Sequence, residues 1–141
     1  MKKFELIEHT ADIGIRVFAR SREELFANSA EGLFSLLLKK EQTNASNIKK
    51  VTLKSPKLDE LLVQWLNELL SLFYAEAFVP AKFSASLAET DGTLTLNATV
   101  EGDEIEDSVT LAKTEVKAAT YHRLKVEQFK GGYKAEVIFD V

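Results

Sequence analysis

The residues able to do chemistry in this chain of 141 residues gather at its two ends. Near the start stands Glu8-His9-Thr10-Ala11-Asp12-Ile13, and the last residues are Val137-Ile138-Phe139-Asp140-Val141. Each stretch sets a carboxylate inside or beside an apolar run, where an unpaired acid is costly. The second also places a terminal carboxylate one residue after Asp140. A fold that joined the two ends would gather oxygens from Asp12, Asp140 and Val141, a donor set suited to a hard cation. Plainer roles stand beside this one. Asp12 can cap local N–H groups in a turn. Asp140 can pair with Arg123. His9 can serve as ligand or base, or hydrogen-bond its own loop. His122 is expected on a core-facing or half-buried strand face with Leu124 and Val126. Lys117, on the opposite face of that strand, is expected to be solvated.

Composition narrows the classes. The chain has no cysteine, which excludes disulfides, thiolate metal sites and cysteine nucleophiles. It has no GxGxxG, P-loop, zinc spacing or GxSxG motif. With two histidines, stand-alone catalysis would have to rest on carboxylates. The net charge of −4, from 22 acidic and 18 basic residues, argues against broad nucleic-acid binding. Glu5 and Glu8 interrupt the stretch after Lys2-Lys3, so no signal h-region forms. No apolar run approaches the length of a membrane span. The expectation is one cytoplasmic domain over 1–141, long enough to bury a core unaided.

The elements that must position these groups can be read in order. Residues 4–8 and 13–19 form two strands, Ile13, Ile15 and Val17 sharing one face. Ser21-Arg22-Glu23-Glu24 is a capping box that opens a helix over roughly residues 22–39. Gly32 weakens that helix, so it marks a close contact. Residues 41–47 are a loop and 48–55 a half-buried strand. Ser55-Pro56 reads as N-cap and first helical position. Leu58, Leu61, Leu62, Trp65, Leu66, Leu69, Leu70 and Phe73 then follow at helical steps, to about residue 75 or 77.

Asp91-Gly92 between alternating runs predicts a tight hairpin. Its register pairs Leu87 with Leu96, Ala85 with Ala98 and Phe83 with Val100, leaving a wet outer face of Ser84, Ser86, Thr95, Asn97 and Thr99. Residues 102–107 are an acidic turn, and 108–113 fit a strand or a loop. Residues 116–129 read as one long strand. It returns through Gly131-Gly132 into 133–141, with Leu124 facing Phe139, Val126 facing Val137 and Arg123 facing Asp140. That register also opposes Glu127 to Glu136, which is unfavourable, and a bulge or longer loop would shift it. The class is α+β: a mostly antiparallel sheet of about six or seven strands, with two main helices on one side.

Three stretches, in order, resemble the archease family. They are Glu8-His9-Thr10-Ala11-Asp12-Ile13 with Ser21-Arg22-Glu23-Glu24-Leu25-Phe26, the central Trp65-Leu66-Asn67-Glu68-Leu69-Leu70, and Val116-Lys117-Ala118-Ala119-Thr120-Tyr121-His122 with the terminal Ile138-Phe139-Asp140-Val141. The resemblance covers essentially the whole chain. It implies a cytosolic accessory protein, not itself an enzyme, that activates an RtcB-type RNA ligase in tRNA splicing and RNA repair. Such a protein promotes the ligase–guanylate intermediate and multiple turnover. A more general role as chaperone or modulator of tRNA-modifying enzymes, such as tRNA methyltransferases, is the alternative. The resemblance assigns metal binding to Asp12, Asp140 and Val141 and places the family's lysine at Lys117, which together with His9 is the candidate for a partner-directed role. An oxygen-ligated ion there would be Ca²⁺, Mg²⁺ or Mn²⁺ rather than Zn²⁺.

Overall fold

A computed structural model describes residues 2–8 and 12–141. Eight strands and two α-helices follow in the order β1 (Phe4–Glu8), β2 (Ile13–Ala19), α1 (Arg22–Leu37), β3 (Asn47–Ser55), α2 (Leu58–Glu76), β4 (Phe78–Thr90), β5 (Thr93–Glu104), β6 (Ala118–Ala119), β7 (Lys125–Phe129) and β8 (Gly132–Asp140). A 3₁₀ turn over Ser108–Leu111 precedes β6, in the stretch that fitted strand or loop equally. The α+β class with two main helices holds. The strands divide between two antiparallel sheets, one ordered β1-β2-β8-β6 with β7 also on β8, the other β3-β5-β4. Each helix packs on strands of both sheets.

The helices explain that arrangement. Helix α2 buries Leu61, Leu62, Trp65, Leu66, Leu69 and Phe73 completely, and each such side chain adds about 1.5–3 kcal/mol of burial. Trp65 donates its indole N–H to the Phe26 carbonyl at 2.9 Å and meets Phe83 of β4 edge-on. One side chain thereby ties both helices to the smaller sheet. Helix α1 starts as expected, with Ser21 Oγ accepting from Glu24 N at 3.1 Å. The Glu24 carboxylate accepts from Arg20 N, one residue earlier than a closed capping box requires. Gly32 is the close contact expected of it, because a Cβ there would lie 3.2 Å from the Phe4 ring.

Three expectations need correction. Ser55 and Pro56 do not open α2. Ser55 is the last residue of β3, buried and paired with Leu94, and its hydroxyl accepts from Lys57 N while the chain turns. The helix begins at Leu58, with Asp59 and Glu60 favouring its positive end. The long strand over 116–129 is instead two short strands. Between them Leu124 N donates to the Tyr121 carbonyl at 3.2 Å, and Arg123 takes the left-handed φ of 53°. The turn into β8 falls at Lys130-Gly131, so Val126 faces Ala135 and Lys125 faces Glu136. Glu127 then meets Lys134, which removes the like-charge clash.

Candidate functional site

The site is built at one end of the larger sheet, where β8 runs between β2 and β6. Ile13 pairs with Phe139, so the antiparallel register carried one step further sets Asp12 opposite Asp140. On the other side Ala118 pairs with Asp140, and Lys117 N donates to the Asp140 carbonyl at 2.8 Å. The next step of that register sets Lys117 beside Val141. Two distant carboxylates, the last residue and Lys117 are thus brought to one corner. The side chains of Lys117, Asp140 and Val141 are exposed there, whereas that of Asp12 keeps only 19% of its surface. His9 lies outside the described residues.

Strand β6 has only two residues and needs outside support. Asn67 of α2 provides it. Its amide donates to the Ala119 carbonyl at 3.1 Å, and its amide oxygen accepts from Ala119 N at 2.8 Å. Thr120 continues the docking, with N and Oγ1 both donating to the Ile138 carbonyl at 3.0 and 2.8 Å. These bonds fix where Lys117 leaves the sheet. Sequence reasoning placed Asn67 within a family-like stretch but gave it no task. A polar residue on the strongest apolar helix of the chain was the available signal.

The charges around Asp12 differ from expectation. Arg123 does not face Asp140. Its Nη1 lies 3.6 Å from one Asp12 oxygen, and His122 Nε2 lies 3.8 Å from the other. His122 is exposed rather than core-facing, because the turn at Tyr121–Leu124 lifts it off the sheet. Among the described residues, no three His, Asp or Glu side chains form a metal cluster. Among the described residues, the carboxylates of Asp12 and Asp140 and the oxygens of Val141 are the hard donors that the register brings to the corner. The donor chemistry fits an oxygen-preferring cation, held by fewer protein ligands than such ions take in full.

A contrasting polar group lies further along the same sheet. Arg16 of β2 donates to Glu136 of β8 at 2.6 Å and to Glu5 of β1 at 3.0 Å. The Arg16 hydrogen bonds hold both carboxyls below their ordinary range, Lys2 adding to the effect at Glu5. Every member has its partner, so this row fastens the three strands and leaves no group free for chemistry.

The described residues define the class: a small α+β domain of two antiparallel sheets, the larger of which brings sequence-distant groups to one polar corner. Comparison with known proteins gives this class a family. The family model for the archease protein family matches residues 4–141. A protein archease of Methanosarcina mazei is 37% identical over 141 residues, covering 99% of this chain and 97% of its own. Another, from Saccharolobus solfataricus, is 33% identical with both chains fully covered. The solution structure of a Methanobacterium thermoautotrophicum protein superposes with a TM-score of 0.87 at 33% identity, covering all of both chains. A Thermotoga maritima crystal structure, described as an archease and possible chaperone, shares the fold with a TM-score of 0.59 at 22% identity, covering all of this chain and 98% of its own. The chain belongs to the archease family.

Proposed function

We propose that this protein is a cytoplasmic accessory factor of an RtcB-type RNA ligase in tRNA splicing and RNA repair. It promotes formation of the ligase–guanylate intermediate and is not itself the catalyst. The observation that carries this reading is the joining of Asp12, Asp140, Val141 and Lys117 by the β2-β8-β6 register. Asp12, Asp140 and the Val141 carboxylate or carbonyl would hold Ca²⁺, Mg²⁺ or Mn²⁺. Such an ion, when bound, supplies positive charge that orients phosphates and stabilises developing negative charge.

The chain's own residues do the rest. The sheet register fixes the spacing of the two carboxylates. Asn67 and Thr120 hold the strand from which the exposed Lys117 projects. Tyr121 and Val141 are exposed beside the corner, at 59% and 51%. An exposed aromatic and an arginine next to a charged site are the residue types that anchor protein partners. The partner surface in this reading is therefore the corner itself.

The test is single-turnover guanylylation of the cognate ligase with GTP and metal. Wild type should stimulate it, and folded Asp12→Ala and Asp140→Ala should lose most of the stimulation. Equal stimulation by all three would reduce the carboxylates to structural roles. If the variants still keep other tRNA-modifying enzymes soluble, the general chaperone reading gains.

A further inference from the structure

The corner carries its own cation. Asp12 meets the Arg123 guanidinium at 3.6 Å and the His122 imidazole at 3.8 Å, one on each carboxylate oxygen. An ion coordinated by both oxygens of Asp12 cannot share them with a guanidinium at that distance, and two positive charges so close repel. We infer that Arg123 is a built-in competitor for the cation at Asp12, which must leave before the ion binds fully. This rests on the cation reading above.

Three features make Arg123 suited to that part. Its side chain is 73% exposed, so it can swing into solvent without breaking the core. Its Nη1–Oδ2 distance is loose for a guanidinium–carboxylate pair, and exposed pairs are weak enough to exchange. It also occupies a left-handed position, φ 53°, that arginine adopts at a cost and that glycine or asparagine fills readily. The backbone geometry of the turn therefore does not call for arginine, and the charge is the property that the residue adds. The consequence is a cation site that is weak in the isolated protein. It tightens when an anionic group of a partner draws Arg123 away, because each ligand then removes a cost to the other.

The experiment is calorimetric titration of Mn²⁺ alone into wild type, Arg123→Lys, Arg123→Asn, Arg123→Gly and Asp12→Ala, at low and raised salt. Affinity should follow charge. Asn and Gly variants should bind about three- to tenfold tighter than wild type and the Lys variant, an advantage that shrinks with salt. Tighter binding by the Gly variant alone would assign the effect to backbone relaxation and overturn the inference. Equal affinity across the Arg123 series, with loss in Asp12→Ala, would also overturn it while sparing the cation site. Binding in none of the variants, or binding unchanged in Asp12→Ala, would remove the site and the inference together. Thermal unfolding of each variant confirms that the compared proteins are folded.

Discussion

The two sheets of this protein are made in opposite ways. The β3-β5-β4 sheet is built on a local hairpin: β4 and β5 meet across a two-residue turn, and β3 joins β5 from the far side of α2 in the chain. The larger sheet is non-local: its central pairing, β2 with β8, brings together the two ends of the chain. Closing such a loop costs entropy before any contact rewards it. The β4-β5 hairpin needs only its own turn to close, whereas the β2-β8 pairing must close a loop that holds nearly all the other elements. What the slower construction gains is a place where residues distant in sequence meet. The candidate site lies there. The local sheet offers on its outer face a row of Ser, Thr and Asn without comparable convergence.

The largest perturbation should erase the comparison. Trp65→Ala removes a fully buried indole that links α2 to Phe26 and Phe83, and should cost about 3–5 kcal/mol. Chemical denaturation should show both sheets unfolding in one transition. Separate transitions would show that the sheets are energetically independent.

Two glycines should separate the sheets again. A Cβ on Gly14 would lie 2.2 Å from the Val137 carbonyl oxygen, between β2 and β8. A Cβ on Gly102 would lie 2.2 Å from the Val79 carbonyl oxygen in the other sheet. Both alanine variants should lose about 1–3 kcal/mol, the overpacking range. Only Gly14→Ala should also alter amide exchange at Lys117 and Thr120, which bond to β8, the strand that Gly14 pairs with.

How far the sequence revealed the molecule follows the same division. The Asp91-Gly92 turn and its alternating flanks predicted the turn and the pairing register, including Leu87 opposite Leu96, although both strands run past the expected ends, β4 starting at Phe78 and β5 reaching Glu104. The helical run of α2 was equally plain, because leucine spacing reports a buried face directly. The final segments were harder. Gly131-Gly132 read as a two-residue turn, but Gly132 is already in β8. It is needed there because a Cβ would lie 2.0 Å from the Ala19 carbonyl oxygen. The break at Tyr121–Leu124 gave no glycine or proline to mark it, since Arg123 fills the left-handed position. Asp12, Asp140 and Lys117 could be named, but Arg123 against Asp12 depended on a turn that strand periodicity hides.

A subtler change should affect the site more than the fold. Asn67→Ala removes two hydrogen bonds to Ala119 and leaves its backbone N–H without that partner. A loss of about 1–2 kcal/mol is expected, with ligase stimulation falling further than that of an equally destabilised variant in β3-β5-β4. Equal losses would mean that β6 needs no fixed position.

The smallest effect is electrostatic and concerns the Arg16 row of the larger sheet. Arg16 lowers the Glu136 pKa in the folded state. The stabilisation from Glu136 is therefore present above the ordinary carboxylate range and lost as pH falls through the lowered folded value. Glu136→Gln should cost about 0.5–1 kcal/mol at neutral pH, allowing for solvent screening. Its melting temperature should converge with that of wild type as the medium is acidified. A difference that persists in acid would indicate packing rather than charge.

The most direct measurement is paramagnetic mapping by NMR, adding Mn²⁺ to the isotope-labelled protein and reading amide broadening residue by residue. Broadening centred on Asp12, Lys117, Ala118 and Asp140, absent in Asp12→Ala, is the predicted result. Broadening centred instead on the acidic Asp103–Asp107 region beyond the hairpin, or nowhere, would contradict the account of the corner as the working site.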